Sequence, residues 1–76
     1  MPLENSYATQ NLYEAAFLLC KGFNLAGKRR EGSKVIVMFQ GAEASTAALK
    51  YYNGAKVEAK AFTDAYRTLK DYVFER

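Results

Sequence analysis

Seventy-six residues, half hydrophobic and a quarter charged, with a formal net charge of +3, describe one globular domain near the lower size limit for folding without staples. A single cysteine excludes an intramolecular disulfide, and the lack of histidine excludes a catalytic triad or dyad of the usual kind. No apolar run approaches the ~20 residues of a membrane span, and Met1-Pro2-Leu3-Glu4-Asn5 has neither the basic region nor the apolar run of a signal peptide, so the expectation is a cytoplasmic protein that engages no membrane.

In chain order, residues 1–5 read as a loose leader to an expected single domain covering 1–76. Ser6-Tyr7-Ala8 predicts a short edge strand. A first helix then runs to about Lys21, because Leu12, Ala15, Ala16 and Leu19 recur at i, i+3, i+4 and i+7, with Tyr13, Phe17 and Cys20 widening the stripe. Two residues compete to cap it: Thr9 through its hydroxyl, and Asn11 with Glu14 three residues on. Gly22 supplies its stop. Phe23 to Lys28 alternates as a strand with one wet face, and Gly27 marks a bulge or twist. Arg29-Arg30-Glu31-Gly32-Ser33 is expected as a hairpin loop. Lys34 to Gln40 then carries five consecutive apolar residues, three of them β-branched. That unbroken run predicts the central strand of a small sheet, covered on both faces.

Gly41 to Ser45 opens a second helix that Asn53-Gly54 closes. Its apolar face, Ala44, Ala47, Ala48, Leu49, Tyr51 and Tyr52, allows close approach but little burial, so this helix should be the least protected. The last helix, from about Glu58 to Phe74, has the continuous stripe Phe62, Ala65, Tyr66, Leu69, Tyr72 and Val73, and on its other side Lys60-Asp64 and Arg67-Asp71 at i, i+4. The β-α-β-β-α-α order is that of an α+β fold, a small two- or three-stranded antiparallel sheet packed by three helices. With three strands, the first helix crosses over in a split β-α-β unit. The alternative is a two-stranded hairpin packed by helices alone.

Little here suggests catalysis. The carboxylates are scattered, Cys20 lies in an apolar helix face, no carboxylate spacing suits calcium, and the glycines do not form a phosphate loop. The expectation is a non-enzyme with no metal, no other cofactor and no small-molecule substrate. Charge placement says more. Lys21, Lys28, Arg29, Arg30 and Lys34 against Glu31 give residues 21–34 a local +4 and leave the rest of the chain at −1. Lys28, Arg29, Arg30 and Lys34 on a hairpin could meet phosphates, or they could guard a sheet edge against aggregation. Tyr51 and Tyr52 offer rings for stacking on unpaired bases. Adjacent helical residues point about 100° apart, so one of the two should be exposed. Tyr66 reads as core. If the three helices share one face of the sheet, Ile36 and Met38, with Ala26, are left as an apolar patch for a second copy or another partner.

Tyr7-Ala8-Thr9, Leu12, Ala15-Ala16-Phe17-Leu18, Lys21-Gly22-Phe23, the strand Val35 to Phe39, Tyr51-Tyr52-Asn53-Gly54, Val57, Ala59, Phe62 and Leu69-Lys70 together resemble a family of short uncharacterised bacterial and phage proteins, the domain of unknown function fifty-six fifty-nine. The resemblance implies a stand-alone domain, often carried on mobile elements, and transfers no catalytic or ligand residue. Two functional expectations follow. One is a nucleic-acid-associated accessory protein that uses the basic hairpin. The other is a protein-interaction or dimerisation module, for example one that binds a host or phage protein.

Overall fold

The apolar run Lys34–Gln40 (β3) is the middle strand of a three-stranded antiparallel sheet in the computed structural model, which describes residues 6–74. The leader expected over residues 1–5 lies outside the described residues. Ser6–Thr9 (β1) and Leu25–Glu31 (β2) flank β3 in the order β1-β3-β2, both antiparallel to it. Leu12–Cys20 (α1) connects the two outer strands, which gives the split β-α-β arrangement. Ala44–Tyr52 (α2) and Ala59–Val73 (α3) complete the chain.

Local chemistry sets the ends of the elements. Asn11 caps α1: its backbone is extended, and its side-chain oxygen accepts from the amides of Tyr13 at 3.0 Å and Glu14 at 3.3 Å. Thr9 is not the cap. It belongs to β1, opposite Val37, and its hydroxyl is turned to another acceptor described below. At the other end of α1, Gly22 takes a φ of +97°, its amide donates to Leu19 O and that of Phe23 to Leu18 O, both at 3.1 Å. Gly54 closes α2 in the same way, with φ of +85° and bonds from Gly54 and Ala55 to Tyr51 O and Lys50 O. Both are Schellman motifs, for which glycine avoids the Cβ penalty of a positive φ.

The hairpin is tighter than the expected five-residue loop. Ladder pairing continues through Lys28↔Val37, Arg29↔Ile36, Arg30↔Val35 and Glu31↔Lys34, so only Gly32 and Ser33 turn. Charged residues are tolerated in β2 because it is an edge strand whose side chains reach water. The bulge expected at Gly27 is present: Leu25 pairs with Phe39 and Gly27 with Met38, leaving Ala26 as the extra residue.

All three helices lie against one face of the sheet. The core joins Val37 and Phe39 to Ala15, Ala16, Phe17 and Leu18 of α1, Ala44 of α2, and Ala65, Leu69 and Val73 of α3. Val35 packs at its margin, whereas Ile36 and Met38 are half-buried and stand outside it. The expectation that β3 is covered on both faces is therefore corrected. A molecule 31 × 30 × 17 Å in extent has room for one helix layer on one sheet. The outward residues of β3 are sheltered only by the strands on either side. α1 packs on both α2 and α3 and is the centre of the helix layer. α2 buries only Ala44 and Ala48, with Leu49 and Tyr52 about three-fifths exposed. On α3, Lys60 and Asp64 pair at 3.0 Å, while Arg67 and Asp71 form no ion pair among the described residues. Cys20 is a half-buried free thiol at the last residue of α1.

Candidate interaction surfaces

Antiparallel partners share a face of the sheet, so the register divides the basic hairpin. Lys28 and Arg30, opposite Val37 and Val35, lie on the helix side, while Arg29 and Lys34 lie on the bare side with Ile36 and Glu31. The four cations do not form one cluster. The Lys28 ammonium donates to the backbone carbonyl of Tyr72 and sits 4.7 Å from the centre of the Tyr72 ring, which ties the hairpin to the end of α3. Arg29 pairs with Glu31 at 2.9 Å. Arg30 and Lys34 are exposed and have no hydrogen-bonding or ionic partner among the described residues.

The bare face has an apolar middle. Met38 stands between Ala8 of β1 and Gly27 of β2, with Ile36 beside Arg29 along the strand. The Met38 methyl lies 3.6 Å from where a Cβ on Gly27 would sit, an ordinary contact distance, so Met38 lies over the Gly27 backbone. Gln40 and Ser6 close one end of this face, and Arg29, Glu31 and Lys34 the other.

The two adjacent tyrosines part company as helical geometry requires. Tyr51 packs on Phe17 with ring centres 5.7 Å apart, whereas Tyr52 is 60% exposed and meets Tyr51 edge-on at 4.9 Å. Tyr66 packs against the core and stacks on Tyr13 at 5.1 Å, nearly parallel.

One site was not among the sequence candidates. Glu14 is 1% exposed, the single buried charged residue among those described, and no cation accompanies it. Three hydroxyls serve its carboxylate instead. Tyr7 donates to Oε2, and Thr9 and Tyr52 donate to Oε1 at 2.8 and 2.9 Å. Asn11 supports two of these donors: its amide N–H bonds Thr9 Oγ1 at 3.1 Å and its Nδ2 bonds the Tyr52 hydroxyl at 3.3 Å. The cage joins β1, α1 and α2. Burial, then the Glu14 hydrogen bond and charge, push the Tyr7 phenol well above the usual tyrosine range. For Tyr52 the Asn11 bond acts downward, but the Glu14 hydrogen bond, burial and the charges of Glu14 and Tyr51 together outweigh it and the phenol rises. A carboxylate that is enclosed and already accepts three hydrogens is poorly placed to take a proton from a ligand. Its hydrogen bonds link β1 and α2 to α1. The signal was present in the sequence: Glu14, Phe17 and Leu18 stand at i, i+3 and i+4, which places a charge on the buried stripe.

Among the described residues, no group of three or more acidic or cysteine side chains could hold a metal ion, and no helix is long and apolar enough to cross a membrane. No curated protein and no solved structure matches the chain. The model of a family described as Domain of unknown function (DUF5659) matches residues 4–75.

Proposed function

The chain belongs to that family, Domain of unknown function (DUF5659), and because membership brings no activity with it, we propose from the geometry that the protein is a non-catalytic interaction module that pairs with a second copy through the bare face of its sheet. The observation that carries this reading is the placement of every helix on one side, which leaves Ile36 and Met38 outside the core. Burying such apolar surface is favourable at roughly 25 cal/mol per Å². From strand spacing and rise, the face has a footprint of roughly 14 by 23 Å. That falls short of the ~800 Å² per partner of a standard interface, so the pair is weak and forms with rising concentration.

Met38→Glu tests it. A carboxylate without a partner is strongly disfavoured in a dry interface, so the variant should remain monomeric while the wild type shows mass rising with concentration in light scattering. The melting temperature at low concentration should hardly move, because Met38 lies outside the core. A wild type that stays monomeric at high concentration ends the self-association reading and turns the face toward an unlike protein.

Arg30 and Lys34 favour a second reading, weak binding of nucleic acid at the hairpin. With Lys28 and Arg29 already engaged, about two phosphate contacts remain, and counterion release then gives a slope of log affinity against log salt of roughly −2 on duplex. Arg30→Glu with Lys34→Glu should abolish binding to labelled oligonucleotides of any sequence. Equal binding by the two proteins, or none by the wild type at low salt, removes this reading.

A further inference from the structure

On the helix side, away from the bare sheet face, α1, α2 and the segments that follow them enclose a cleft of about 480 Å³, within the size range of small-molecule sites. Phe17, Phe23 and Ala47 give it an apolar lining, and Lys21, Lys50, Thr46 and Glu43 stand around it. The Lys21 ammonium is held 5.5 Å from the centre of the Phe17 ring. Neither lysine has a carboxylate partner among the described residues. We propose that this cleft binds a compact amphipathic monoanion, an aromatic or short aliphatic carboxylate, with its apolar body against Phe23 and Ala47 and its carboxylate met by Lys21 and Lys50.

The apolar wall and the two ammonium groups that lack a carboxylate partner make complementary demands. A neutral apolar ligand leaves the cations unanswered, and a small inorganic anion leaves the wall wet. An apolar wall also lowers the local dielectric and strengthens the attraction to each ammonium. The Thr46 hydroxyl offers a donor to a carboxylate oxygen, while Glu43 reduces the charge of the rim to a net +1, which one carboxylate balances and a dianion exceeds. This inference is independent of the pairing at the sheet, which uses the other layer.

The test titrates isotope-labelled full-length protein with phenylacetate and with its neutral isostere phenylacetamide, following backbone amide shifts. Phenylacetate should give saturable shifts in the millimolar range, centred on Phe23, Ala47 and Lys50. Affinity should fall about fivefold for each ammonium removed, at water-like screening, so Lys21→Gln with Lys50→Gln should weaken binding well over tenfold. Phenylacetamide should bind as poorly to the wild type as phenylacetate does to that variant. Ala47→Leu, whose larger side chain fills the cleft, should abolish the shifts while the spectrum's dispersion reports that the fold persists. Absence of saturable shifts with phenylacetate, equal binding of the amide, or undiminished binding by the double variant overturns the proposal.

Discussion

Replacing Glu14 with alanine should bring the protein to the edge of unfolding at room temperature. The carboxylate accepts three hydroxyl hydrogens, and a hydrogen bond to a charged group is worth about 1.5–3 kcal/mol in folded proteins. Truncation also leaves the Tyr7 and Thr9 hydroxyls, carried on half-buried side chains, without their acceptor. A loss of about 3 kcal/mol or more stands against the ~3–5 kcal/mol that a core of this size supplies. Urea unfolding followed by circular dichroism checks it; a midpoint close to that of the wild type would mean that the hydroxyls find other partners at little cost. Tyr7→Phe, which keeps the ring and removes one donor, should cost about 1.5–2 kcal/mol. It should also alter the response to alkali. The folded state raises the Tyr7 phenol above its unfolded value of about 10, so its contribution is complete below that pH and is lost as pH climbs further. Wild-type stability should therefore decline above about pH 10 more steeply than that of the phenylalanine variant.

Two neighbours on β3 should respond to truncation in opposite ways. Phe39 is fully buried, and Phe→Ala in a core costs about 3–5 kcal/mol, so Phe39→Ala should show no cooperative thermal transition. Met38, one residue earlier, faces the bare side, and Met38→Ala should cost less than about 1 kcal/mol because half-solvated atoms leave little cavity behind. Thermal melts at low protein concentration compare the two. Similar losses would show that the outer face of β3 is covered after all.

The elements legible in the sequence are those whose cause is local. Gly22 and Gly54 end helices because a positive φ is needed at one residue. Gly27 marks the bulge because a strand that gains a residue bends where the side chain is missing. The unbroken run from Val35 to Phe39 marks the central strand because only that position shelters both sides of it. What could not be read depends on distant partners. Residue order alone does not say that all helices fall on the Val37 and Phe39 side, so the run suggested two covered faces where one exists. Arg29, Arg30 and Glu31 look like a loop by composition, yet the ladder to Val35 and Ile36 carries them into β2. The basic cluster dissolved for the same reason: alternation sends Lys28 and Arg29 to opposite faces, and each meets a partner there. Beside Asn11, Glu14 reads as a helix-start residue, although its spacing from Phe17 and Leu18 sets it on the inner stripe. Asn11 and Thr9 compete equally well for the cap until the Glu14 carboxylate claims the Thr9 hydroxyl.

The pairing of Tyr7 with Phe39 also has a history in time. The first strand is made well before the strand it pairs with, and at roughly 5–20 residues per second of synthesis the delay is about two to six seconds. During that interval β1 has no backbone partner, and its nearest companion is the helix that follows it. The bonds from Tyr7 and Thr9 to Glu14 span only seven and five residues, so they can form while β3 is still being made. A nascent chain that formed these bonds would keep its first strand folded back on its own helix until the middle strand arrived to take it up.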